Sequence, residues 1–221
     1  MFQLKKSKGV IFGATGFLGQ ELSIELSKQG CDLILHGKSV SKLNKLSDQI
    51  QKKFNVKPIL IQGELNNENF YKNLYKSISL RLNKIDFIFN LIGKFNRLSP
   101  LTHFTHLEWS ELMEININSH WRILKELEPL LKKSTRPRLI FLKNSEISKG
   151  KSFYNILSIS KAAIETLAKI YNDENKRLKT KIKIVEVPNF RKGITEITQN
   201  SKNVDYDLSS AIDKIIKDSF R

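Results

Sequence analysis

The chain has 221 residues and a formal net charge of +16, long enough for one domain with a substantial buried core. It contains no run of about 18 apolar residues, which excludes a membrane-spanning helix, and its one cysteine, Cys31, excludes an internal disulfide or a cysteine-based metal site. Met1 to Lys8 carries charge but no apolar stretch, so no secretory signal is expected, and the cytoplasm is the expected compartment.

The positive charge invites an anionic partner. However, Lys42, Lys45, Lys52, Lys53, Lys72 and Lys76 are scattered over expected outer helix faces. The denser region from Lys169 to Lys183 lacks the repeated aromatic interleaving of a strand-stacking surface. The pattern argues against nucleic acid and for a surface that draws in anionic small molecules.

The first element is the short apolar run Val10 to Phe12. It meets Gly13, Gly16 and Gly19, and an amphipathic segment follows from Leu18 to Gln29. This is the strand, glycine turn and helix of a dinucleotide site. Gly13 permits the sharp turn, Gly16 lets backbone amides approach a pyrophosphate, and Gly19 lets helix and strand pack closely. Thr15, Phe17 and Leu18 complete the turn, and the positive end of the helix faces the phosphates.

Gly30 is a natural left-handed cap for that helix. Residues 31–36 read as the second strand, and Ser39 is the N-cap of a helix over Val40 to Phe54. Lys57 to Gln62 is the third strand and Asn67 to Leu82 a helix. Ile85 to Ile92 is a fourth strand, apolar enough to be covered on both faces. After a loop from Gly93 to His106, Glu108 to Leu131 forms a long helix, apolar around its circumference and bent near Pro129. Its second apolar face predicts a partner subunit. Arg138 to Lys143 is the fifth strand, followed by a loop from Asn144 to Phe153, a helix to Lys176 and a sixth strand over Lys181 to Val187. A polar loop from Pro188, with a substrate loop over Asn189 to Asp205, leads to a last helix at Leu208 to Ile216.

This alternation predicts one α/β domain over residues 1–221. It is a doubly wound Rossmann-type parallel sheet of six strands in the order 3-2-1-4-5-6, with helices on both faces. Ligands then bind beyond the carboxyl ends of the strands. After the second strand, His36-Gly37-Lys38 offers no acid for a ribose hydroxyl. Lys38 suits a 2′-phosphate instead, which favours NADP over NAD. Glu64 and Leu65 follow the third strand near the adenine, and Asn90 and Gly93 follow the fourth. Asn116 is a polar residue inside an apolar helix and needs a partner, either as a packing amide or in the site. No residue set suggests a metal.

In order and spacing, the glycine turn, Asn90-Leu91-Ile92-Gly93, the Asn116 helix, the fifth strand with its loop, Lys161 and Pro188 resemble the short-chain dehydrogenase/reductase family over nearly the whole chain. The match is to a divergent member of the branch of about 250 residues. The resemblance implies NAD(P) binding and hydride exchange with a small carbonyl or alcohol substrate. It also implies homodimers or tetramers built on helices 108–131 and 154–176. Asn116 and Lys161 match catalytic positions, with Lys161 also on the nicotinamide ribose and Pro188 beside the cofactor. The family's catalytic Tyr position holds Leu157 and its Ser position Asn144. The glycine spacing is that of the longer-chain branch, and the last strand of the family is missing.

These departures predict an oxidoreductase by descent that is weakly active or inactive. A second possibility is an active NADP-dependent enzyme with Tyr154 as substitute acid, and a third is a basic protein that binds nucleic acid or a membrane surface.

Overall fold

The computed structural model describes residues 4–187 and 207–221. Six parallel strands form one sheet: β1 (Lys8–Phe12), β2 (Asp32–Gly37), β3 (Ile59–Gln62), β4 (Phe87–Asn90), β5 (Arg138–Lys143) and β6 (Lys181–Glu186). Their spatial order is β3-β2-β1-β4-β5-β6, as expected. The helices are α1 (Phe17–Lys28), α2 (Val40–Phe54), α3 (Glu68–Ser79), α4 (His106–Met113), α5 (Ser119–Leu131), α6 (Ser145–Ser148), α7 (Asn155–Glu174) and α8 (Leu208–Phe220).

The helices bury apolar stripes on both faces of the sheet. Leu74 and Ile78 of α3, Ile123 and Leu127 of α5 and Ile164 of α7 pack on Val10, Ile88 and Phe141. On the other face Leu22 of α1, Leu43 and Ile50 of α2 and Ile215 of α8 pack on Ile11, Leu35 and Phe89. Two-sided cover explains why β1 and β4 are almost entirely apolar.

Capping chemistry sets several ends. The Ser39 side chain accepts from the Lys42 N–H, and Asn55 closes α2 in the left-handed region at φ 56°. Gly30, at φ +79°, follows α1. The long helix expected over 108–131 differs in two ways. It begins at His106 behind a capping box, in which Thr105 accepts from the Glu108 N–H and Glu108 accepts in return. It is then interrupted by a π turn at Glu114–Asn118 before α5. The loop after β5 contains the short helix α6, and α8 runs on to Phe220, whose ring packs edge-on against Phe87 and Phe89.

Among the described residues no helix is long and apolar enough to cross a membrane. Part of the apolar surface on the long helix is internal, through Leu112, Ile123, Leu124, Leu127, Leu130 and Leu131. Trp109, Met113 and Ile117 stay half-buried and Trp121 is 49% exposed.

Candidate functional site

The site grows from the carboxyl end of β1. Gly13 turns the chain at φ +78°, a conformation that side chains oppose. Gly19 must be bare, since a Cβ there would lie 2.2 Å from the Gly13 carbonyl oxygen and 2.8 Å from the Ala14 Cα. Gly16 is the N-cap of α1 and places no side chain over the helix end. The first-turn N–H groups of Leu18 and Gly19 therefore have no acceptor within the helix and can serve an anion.

Of the expected residues, Gly13, Gly16, Phe17, Leu18, Gly19, Asn90, Gly93, Asn144 and Lys161 line one cavity of about 280 Å3, and Leu157 lines it with them. Asn90 accepts from the Ile92 N–H at 3.4 Å. Its Nδ2 is buried with no acceptor among the described residues, a costly state that a ligand oxygen would relieve. The bare glycine turn and this donor fit a dinucleotide.

Lys161 is positioned by α7, one turn after Leu157. Its Nζ donates to the Leu142 carbonyl at 3.3 Å, and burial pushes its pKa down to about 8. Burial, with the Lys161 charge, holds the neighbouring His120 neutral, down to about 3. Asn116 faces the other way. Its Oδ1 accepts from the Lys94 N–H at 2.6 Å and its Nδ2 donates to the Lys94 carbonyl at 2.8 Å. The amide thus pins the loop that carries Ile92 and Gly93 into the cavity wall. The Asn144 side chain caps α6 by accepting from the Ile147 N–H at 3.2 Å, and donates to the Val187 carbonyl at 3.3 Å.

Thr15, Lys38, Glu64, Leu65, Asn116 and Tyr154 do not line the cavity. The Thr15 side chain packs over Gly37, where a Cβ would sit 2.9 Å from its methyl. Lys38 and Glu64, expected to meet different parts of a cofactor, pair with each other at 3.3 Å across the ends of β2 and β3. Leu65 offers its carbonyl to the Tyr71 hydroxyl. His36 is buried between the rings of Phe12 and Phe70 and pushed down to about 4 by burial. Tyr154 is the N-cap of α7 and packs with Ile147, Leu157 and Phe95. Pro188 and the loop from Asn189 to Asp205 lie outside the described residues.

The cavity also has apolar walls the sequence did not single out: Leu142 at the end of β5, Ile147 on α6 and Val187 after β6. The carboxyl-end rule points to Leu142 and Val187. Ile147 required knowledge of α6. Among the described residues no cluster of His, Cys, Asp or Glu forms a metal site.

A family model described as short chain dehydrogenase matches residues 9–207. An uncharacterised oxidoreductase of Escherichia coli K12, YciK, is 24% identical over 168 residues, which cover 75% of this chain and 66%, about two thirds, of that protein. An uncharacterised oxidoreductase of Staphylococcus epidermidis is 20% identical over 216 residues, 98% of this chain and 92% of the relative. Among solved structures, a short chain dehydrogenase of Shigella flexneri complexed with NADP superposes with a TM-score of 0.84 at 20% identity, over 91% of this chain and 85% of that one. One from Escherichia coli CFT073 complexed with NADPH gives the same values.

Proposed function

The chain belongs to the short chain dehydrogenase family, and from that premise we propose that it binds NADP in the crevice at the glycine turn but turns over carbonyl substrates weakly or not at all. The carrying observation is Leu157 on the cavity wall one helical turn before Lys161, where the family resemblance expects a tyrosine.

Gly13, Thr15, Gly16, Phe17, Leu18 and Gly19 would hold the diphosphate, and the unsatisfied Asn90 amide supports a ligand oxygen nearby. Two of the solved neighbours are complexed with NADP or NADPH. Lys38 supports the same preference. Its pairing with Glu64 is exposed, so the side chain can turn to a 2′-phosphate at little cost. Glu64 and Leu65 would border the adenine, Gly93 the nicotinamide half, and Lys161 the ribose. Pro188 is assigned beside the cofactor by family resemblance alone.

Hydride for a carbonyl carbon would come from a reduced nicotinamide held in this crevice. The alkoxide that results needs a proton from a positioned acid, a contribution of about 10²–10⁴-fold. Leu157 has no proton to give. Asn144 spends its amide on the Ile147 N–H and the Val187 carbonyl. Asn116 acts as a positioning residue through Lys94. A second reading rests on Tyr154, whose ring packs against two wall residues, Ile147 and Leu157. There, a small movement of the α7 cap would make its phenol the acid.

The half-buried stripe Trp109, Met113, Ile117 and Trp121 supports association of copies through helices 108–131 and 154–176.

The test is NADPH oxidation with a panel of aldehydes and ketones. Asn144→Ser with Leu157→Tyr should raise turnover at least about a hundredfold. Serine keeps the cap on α6. A parent protein already as fast as the double variant contradicts the proposal. Activity in the parent that Tyr154→Phe abolishes selects the second reading.

A further inference from the structure

The end of the sheet opposite the glycine turn holds another cleft, of about 520 Å3, which the proposed function leaves unused. It lies between the amino ends of β5 and β6 and is lined by Thr135, Arg136, Arg138, Lys179 and Lys181. Every charged group in that set is a cation, and among the described residues no carboxylate pairs with any of them. Three neighbouring basic residues are paired. Lys132 pairs with Glu128 at 3.0 Å, Lys176 with Asp173 at 2.6 Å and Lys84 with Asp86 at 2.8 Å. Four cations with no carboxylate among them thus meet in one cleft.

The register aggravates the repulsion. Arg138 stands directly opposite Lys181 on the neighbouring strand, an arrangement that costs stability for like charges. The ladder fixes the two backbones side by side. Arg138 Nη1 donates to the Pro137 carbonyl at 2.9 Å, and Lys181 Nζ to the Asn175 carbonyl at 3.1 Å. These oxygens carry no net charge to offset the cations. The Arg138 Nε is buried with no acceptor among the described residues. Burial and the neighbouring Arg136 charge lower the Arg138 pKa from its ordinary value.

We propose that this cleft binds a compact oligoanion of the phosphate class, such as phosphate or a short polyphosphate group. Arg136 and Arg138 offer planar donor forks suited to phosphate oxygens, and Lys179 and Lys181 add point charges. Thr135 contributes a hydroxyl at the rim. A polymer running along the sheet edge would next meet Lys84 and Lys8, but these are taken by Asp86 and Asn83. Arg136, Arg138, Lys179 and Lys181 converge on one cleft, so a compact ligand fits it better than a nucleic-acid strand.

The test is calorimetric titration of the full chain with inorganic tripolyphosphate at fixed ionic strength. Arg136→Ser with Lys179→Ser, both exposed positions, should weaken binding at least about tenfold. Lys52→Ser with Lys53→Ser, exposed on α2, should leave it unchanged. Saturation with NADPH should also leave it unchanged. No binding by the parent overturns the proposal. So does equal weakening in the α2 variant, which would mean diffuse attraction. Loss of binding on NADPH saturation would place the anion in the glycine-turn crevice and overturn it too. Binding of a short single-stranded RNA that displaces tripolyphosphate and that Arg136→Ser with Lys179→Ser abolishes would assign the cleft to a polymer instead. Failure of NADPH itself to bind would count against the proposed function, not against this cleft.

Discussion

Replacing Asn116 with alanine removes a side chain that is 3% exposed and makes two hydrogen bonds to one residue, Lys94. Both the N–H and the carbonyl of Lys94 lose their partner, in a partly buried place where water replaces it poorly. Leaving one such group unsatisfied costs about 1–3 kcal/mol, so the pair should cost about 3 kcal/mol. With a urea slope of about 1–3 kcal/mol per molar, the unfolding midpoint falls by about 1–3 M. The freed loop carries Ile92 and Gly93 in the cavity wall, so NADPH affinity should fall with stability. Asn116→Asp keeps the acceptor for the Lys94 N–H but sets a carboxylate against the Lys94 carbonyl, and should be no better than alanine. Urea melts of the three proteins, with an NADPH titration of each, measure both effects. An alanine variant within 0.5 kcal/mol of the parent, the range of an ordinary surface substitution, with unchanged affinity, would refute the assignment of Asn116 as the clamp of this loop.

Gly19→Ala should destabilise by about 1–3 kcal/mol and weaken NADPH binding. Its Cβ would strike the backbone of Gly13 and Ala14, which cannot rotate away; a thermal melt and a titration check this. Lys38→Ala should weaken NADPH about tenfold and leave NADH unchanged, whereas Glu64→Gln should strengthen NADPH by freeing Lys38. Stability should fall on acidification. His36 and His120 have folded pKa values of about 4 and about 3, below the ordinary 6.5. The unfolded chain therefore takes up protons first. The stability held above pH 6.5 is lost as pH falls toward 4 and 3, about 3 kcal/mol for His36 alone. Melts between pH 7 and pH 4 should show this fall, smaller in His36→Gln.

The sheet order and α2 were legible because local signals and global packing agree. Ser39 caps the start of α2, and its apolar face matches the 3.6-residue period. Strand ends were less legible. Ile85 and Ile92 are buried like strand residues, yet β4 pairs with β1 and β5 only from Phe87 to Asn90. Apolar runs report burial, not ladder bonds. The π turn at Glu114–Asn118 has no compositional mark, and it holds Asn116, whose partner Lys94 lies 22 residues away in sequence. The glycine turn was readable because each glycine answers a local steric need. The Lys38–Glu64 pairing was not, since it depends on how two separate loops lie beside each other. The same holds for the basic cleft, which exists only once β5 and β6 stand in register.

In the proposed function a nucleotide crevice persists beside a wall that holds leucine where the family resemblance expects the tyrosine acid. Nicotinamide fluorescence during titration with NADPH and NADH tests its first half directly. Saturable enhancement with NADPH at lower concentration than with NADH, weakened by Lys38→Ala, is the predicted result. A flat response to both nucleotides from folded protein would contradict it.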